Sequence, residues 1–135
     1  MSTYDIRTAL EAHLLALPLP AIPTEFDNHR IATPPIDAPW QSCSLLPAQP
    51  DNPGLDEKTT MQRGVFQVLL RYPSADGAGD AQHRADALCG HFKAPCVLTA
   101  GTIQVRTRGR PWVGAPIPGS DRFVIPVSIR WYSIF

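Results

Sequence analysis

The sequence predicts an α+β fold: an antiparallel or mixed β-sheet with two helices packed on one face, in the order α-β-β-β-α-β-β-β. Three observations carry that expectation. Two segments hold apolar residues at helical intervals, Ile6, Leu10, Leu14 and Leu17 in one and Ala81, Ala85, Leu88 and Phe92 in the other. Two others, residues 63–73 and 123–132, alternate with the two-residue period of a half-buried strand. A single apolar stripe per helix needs one apolar sheet face to cover it, and this sets the layering. A chain of 135 residues suits one domain over 1–135, large enough to bury a core without a disulfide framework or a structural metal. With 44% hydrophobic and 18% charged residues, its composition is that of a packed globule and not of a disordered chain.

The first helix is expected from about Tyr4 to Leu17. Ser2 or Thr3 is placed to cap it, and Asp5 lies in the first turn at the positive end of the helix dipole. Pro18 and Pro20 end it, because proline has no amide donor and disfavours helix in the residue before it. The following proline-rich stretch breaks into short extended pieces. Among them are an edge strand near Ile22 to Phe26, where proline is tolerated, and a better strand from Trp40 to Leu46. Residues 47–62, polar and centred on the turn sequence Asp-Asn-Pro-Gly, read as a mobile loop or arm.

In the strand RGVFQVLLRYP, Phe66, Val68, Leu70 and Tyr72 should face the core. A glycine-rich turn leads to Asp80, a cap for the second helix, which ends before Pro95; Gln82, Arg84, Asp86 and Lys93 are expected to point away from its apolar stripe. Val97 and Leu98 begin further β structure. Ile103, Val105 and Thr107 alternate with polar residues, and residues 109–121 loop into a final strand that stays apolar to Phe135. A chain end that apolar is expected to dock against something.

The formal net charge is zero, so the broad electrostatic footprint of a nucleic-acid binder is missing. The halves nevertheless differ: residues 1–70 carry eight acidic and four basic side chains, and residues 71–135 carry four acidic and eight basic. Such asymmetry reads first as two solvated faces, since exposed charge pairs are weak, but it can also guide head-to-tail contacts between copies, because complementary patches set orientation more than raw affinity. No apolar run reaches the ~18 residues of a membrane span, and the N-terminal segment lacks the basic stretch of a secretory signal. Three cysteines, Cys43, Cys89 and Cys96, are an odd number at uneven spacing, which points to a reducing cytoplasm as the place of synthesis.

Chemistry is hard to find. His83, Cys89, His91 and Cys96 supply zinc-type atoms, yet their spacing fits no standard pair of ligand pairs, and His83 and Cys89 fall on different helix faces. Cys89 is read as a small core-edge residue and both histidines as solvated. His13, His29, His83 and His91 have no nucleophile elbow nearby, residues 77–80 lack the lysine of a phosphate cradle, and Asp56 and Glu57 lie in the polar loop. The expectation is a protein that is not an enzyme and uses no cofactor or metal. The cluster Arg106, Arg108 and Arg110 with Trp112 reads first as a plain solvated face, and otherwise as a surface for phosphates or for a protein; zero net charge favours a protein partner over nucleic acid. With Trp131 and Phe135 of the apolar terminal strand, these residues form the expected interface.

The segments MSTYDIRTALEAHLLAL, LLPAQPDNPGLDEKTTMQRGVFQVLLRYP, GDAQHRADALCGHF with VLTAGTIQVR, and RFVIPVSIRWYS together resemble a family of small bacteriophage and prophage proteins grouped with tail terminators. The resemblance covers nearly the whole chain through packing patterns, with no catalytic signature. It implies a protein of the virion tail, assembled in the host bacterial cytoplasm. Such a protein caps the growing tail as a ring, commonly a hexamer. Its partners would be its own copies, the tail tube protein and a head-completion protein, with no nucleic acid or membrane. Two other readings stay open: a head-to-tail connector or tail completion subunit, and a small ligand-binding or enzymatic domain with a pocket lined by His83, His91 or Trp112.

Overall fold

A computed structural model describes residues 3–27, 38–48, 61–73, 79–118 and 122–134. The elements are α1 (Thr3–Leu15), β1 (Thr24–Glu25), β2 (Trp40–Pro47), β3 (Met61–Pro73), α2 (Gly79–Phe92), β4 (Val97–Ala100), β5 (Ile103–Thr107), β6 (Trp112–Val113), β7 (Ile117–Pro118) and β8 (Arg122–Ile134). The expected order holds, with two short strands added where the sequence reads only as a loop. Ser2, the side chain of Thr3, residues 49–60 and the terminal Phe135 lie outside the described residues; the loop expected over 47–62 is shorter at both ends, because Pro47 closes β2 and Met61 and Gln62 open β3.

The sheet runs β1-β2-β3-β8-β5-β4, with β6 and β7 also paired to β8. It is mixed: β1 runs parallel to β2, and every other pairing is antiparallel. The long strands β3 and β8 form its spine, in register from Met61↔Ile134 to Pro73↔Arg122. That register puts Phe66 opposite Ile129, Val68 opposite Val127 and Leu70 opposite Ile125, all fully buried. Cross-strand pairs of this kind are the unit of sheet stabilisation.

Both helices lie on this inner face, as expected. Ile6, Leu10, Leu14 and Leu17 of α1 and its C-terminal extension join Ala81, Ala85, Leu88 and Phe92 of α2 in one core with the inward residues of β2, β3, β5 and β8. After Leu15 the chain tightens, Leu17 N–H donating to Leu14 O at 3.2 Å, so Leu17 still reaches the core before the prolines take over. The sheet curls around α1, which packs on β4 and β5 near one edge, while its Arg7 reaches Asp27 beside β2 near the other. At the second edge Asp27 accepts from Arg7 Nη1 at 2.7 Å and from Leu45 N–H at 3.0 Å. Burial raises the proton affinity of this carboxyl, but the hydrogen bonds from Arg7 and Leu45 and the Arg7 charge prevail and hold it below the ordinary carboxylate value. The carboxylate thereby occupies part of an otherwise open strand edge.

Arg84 corrects the helical reading. It was expected to point away from the core, but it is buried in α2, and its guanidinium donates to Pro20 O at 2.8 Å. The long alkyl stem lies along the core while the charged end ties α2 to the segment after α1. Cys43 and Cys89 are buried and Cys96 is half-buried. Burial pushes the Cys43 thiol up to about 12, and burial raises the thiols of Cys89 and Cys96 as well. Alkylation of the native protein at about pH 8 is therefore expected to label Cys96 slowly and to spare Cys43 and Cys89 until the chain unfolds. Mass mapping of the modified thiols checks this, and rapid labelling of Cys43 in the native state would contradict it.

Candidate interaction surface

The histidines fall into two environments. His83 is exposed, as expected. His91 is not: its ring stacks on that of His13, with centroids 3.8 Å apart and planes within 2°. His13 Nε2 donates to His91 O at 2.8 Å, and His91 Nε2 donates to His13 O at 2.6 Å, locking the two helix ends together. These partners assign a hydrogen to each Nε2. Cys96 Sγ lies 3.7 Å from His13 Nε2, but that nitrogen is already a donor, so it cannot take the thiol proton. Among the described residues no three His, Cys, Asp or Glu side chains are grouped to hold a metal ion.

This lock makes stability depend on pH. Burial, followed by the His91 charge, depresses His13 below its ordinary 6.5, while the hydrogen bond to His91 opposes the shift. The unfolded chain therefore binds the proton more readily than the folded one. The contribution is complete above about pH 6.5 and is lost as pH falls through that value toward the lower folded-state value. Urea midpoints are expected to drop between about pH 7.5 and 5.5, and to drop less in His13→Asn. Equal slopes in the two proteins would contradict it.

The expected interface residues separate. Arg106 and Arg108 are exposed on the outer face of the sheet, the side away from the helices. Arg108 N–H donates to Arg130 O at 2.8 Å, extending the ladder past β5, and its guanidinium lies 5.6 Å from the Tyr132 ring centroid. Arg110 is exposed in the turn that follows. Trp112 is 71% exposed, and its register opposite Ser128 places it on the same outer face. Trp131 does not belong with them: it is fully buried in the core, because it shares the alternation of Ile125, Val127 and Ile129.

Sequence reasoning missed Arg130, which links the basic cluster to Trp112. A depression of ≈ 540 Å³ is lined by Val65, Trp112, Ser128 and Arg130. A second, of ≈ 190 Å³, shares Val65 and Arg130 and extends to Arg108. A third, of ≈ 380 Å³, lies beside Arg106, Tyr132 and Val97. No Asp or Glu occurs in any strand from β2 to β8, while Arg63, Arg71, Arg106, Arg122 and Arg130 all alternate onto the outer face. The face was legible in part, since the absence of acidic residues from the strands can be read directly from the sequence. The residues of the ligand-pocket reading do not converge: His83 borders a hollow with Asp80 and Arg84, Trp112 borders the outer depression, and His91 is held by His13.

A curled mixed sheet, two helices on its inner side and an arginine-lined outer side whose strands from β2 to β8 hold no carboxylate side chain define a small α+β protein whose distinctive chemistry lies on its surfaces. Residues 5–131 match the family described as phage tail terminator protein, and the chain belongs to that family. It is thus a phage tail assembly protein by family. A solved structure designated only by a serial number is similar over 100% of this chain and 96% of its own, at 29% identity and a TM-score of 0.81. No curated protein matches the chain. No helix among the described residues is long and apolar enough to cross a membrane.

Proposed function

We propose that this protein is a structural component of the virion tail that forms a ring, commonly of six copies, at the end of the tail tube. There it stops tube polymerisation and offers the surface on which a head-completion protein joins. Family membership over residues 5–131 is the observation that carries this reading. The placement of reactive groups supports a role without chemistry: the buried thiols are held in their protonated form and the His13–His91 pair is committed to backbone carbonyls. A closed ring needs a heterologous contact, in which two different patches of one subunit meet on neighbouring copies.

The test is co-sedimentation with purified tail tubes together with sizing of the protein alone. Binding confined to tube ends, with ring-sized assemblies there, is the expected result. Exclusive, tight dimers in every condition, or binding along the tube wall, would overturn it. A connector placed elsewhere on the particle would bind head portals in preference to tube ends.

A further inference from the structure

The exposed large apolar side chains of the described residues sort onto two sides of the subunit. Leu46, Val97, Trp112, Ile117 and Ile134 are each between 45% and 71% exposed. Their register partners on β3, β5 and β8 place all of them on the outer sheet face. The remaining two, Tyr4 and Leu15, are 64% and 60% exposed on α1, on the opposite side of the molecule.

Charge sorts the same way. The outer sheet face carries arginines and no carboxylate in its strands from β2 onward. The helix side carries Asp5, Glu11, Asp80 and Asp86, with Glu25 and Asp27 at the adjoining edge. There Arg7 is already paired with Glu11 and Asp27, Arg84 is buried against Pro20 O, and the exposed Lys93 just past α2 is outnumbered by the carboxylates around it. One side of the subunit is thus apolar and basic, and the other is apolar and acidic.

Resting on the ring reading above, we propose that the ring contact is sheet to helix: the outer sheet face of one copy receives the helix side of the next. Tyr4 and Leu15 seat in the trough bordered by Trp112 and Val65, and Asp5 and Asp86 face Arg106, Arg108 and Arg130. The occupant is a second copy because the complementary surface is present on the chain itself. Apolar anchors supply affinity and the opposite charges fix orientation, so that like faces of two copies repel. Opposite sides of one subunit meeting head to tail generate a closed ring when the rotation between copies closes.

Two variants test this: a sheet variant, Arg106→Glu with Arg108→Glu and Arg130→Glu, and a helix variant, Asp5→Lys with Asp86→Lys. Circular dichroism and thermal melts confirm that each folds. Assembly is read by sedimentation at high protein concentration and by retention on tail-tube ends. Each variant alone is expected to self-associate at least tenfold more weakly than the natural protein, and an equimolar mixture to recover assembly, since the reversed faces then complement each other. Trp112→Ala and Tyr4→Ala, which leave charge unchanged, are expected to weaken assembly as well. If both reversed variants assemble normally, or the mixture fails to recover, the sheet-to-helix contact is wrong while the ring reading stands. If the natural protein forms no ring in either assay, the ring reading fails and takes this contact with it. Loss of salt-sensitive DNA binding in the sheet variant, with assembly intact, would assign the face to nucleic acid and overturn the proposal.

Discussion

Replacing Trp131 with alanine is expected to destabilise the isolated chain by about 3–5 kcal/mol, the usual cost of removing a large aromatic from a packed core. The side chain is fully buried and lies directly across the ladder from Gly64. Its removal deletes apolar contacts and leaves a cavity that the β3–β8 spine, paired along its whole length, is poorly placed to collapse. Against a total stability of about 5–15 kcal/mol, such a loss shifts the urea midpoint strongly. Trp112→Ala provides the contrast. That residue is 71% exposed, and its truncation is expected to change the stability of the monomer by less than about 0.5 kcal/mol. Equal effects of the two substitutions on monomer stability would contradict the division between core and surface drawn here.

Gly64→Ala is expected to destabilise by about 1–3 kcal/mol, the usual range for overpacking a well-filled site. Intrinsic preference argues the other way, since glycine within a strand costs roughly 0.5–1 kcal/mol relative to alanine. Local geometry decides. A methyl group at Gly64 would sit 2.5 Å from Leu46 O, 2.9 Å from Pro47 Cα and 2.9 Å from Trp131 Cζ2. The first two are main-chain atoms of the neighbouring strand, so relief requires β2 to move away from β3 where their pairing ends at Pro47↔Gly64. Combining Gly64→Ala with Trp131→Phe removes only the side-chain clash, and the double variant should recover little. An unchanged or raised urea midpoint for Gly64→Ala would show that the edge of the sheet yields more readily than its geometry implies.

The residues that announced themselves in the sequence are those whose environment is set by their own element. The alternation in residues 63–73 and 123–132 and the two helical stripes each report a single buried face, and the core follows from them. Trp131 was legible too, because its parity matches Ile125, Val127 and Ile129; grouping it with the apolar chain end obscured this. What the sequence hid depends on partners far along the chain. His13 and His91 are 78 residues apart and gain meaning only when two helix ends meet. Arg84 lies off the apolar stripe by pattern, yet its stem can be buried because Pro20 offers a carbonyl 64 residues away. Asp27 reads as a loop acid until the β2 amide of Leu45 is found beside it. The strands β6 and β7, two residues each, borrow their order from β8 and carry no pattern of their own.

The candidate surface was half legible. Arg106, Arg108, Arg110 and Trp112 are close in sequence and were visible as a cluster, whereas Arg130 joins them only through the pairing of β8 with β5 and β6. The sequence-wide charge asymmetry between the halves becomes, in three dimensions, an asymmetry between the sheet face and the helix side. That change follows from the strand order, which brings Arg63 and Arg71 of β3 beside the arginines of β5 and β8.

Tail length is the quantity that bears most directly on the role assigned here. Electron micrographs of tails assembled with the protein should show a narrow length distribution and a ring of density at the free end of the tube, and those assembled without it should show tubes that run on past that length. Tails of the same defined length in both preparations would mean that polymerisation is stopped by something else, and that this fold serves the particle in another way.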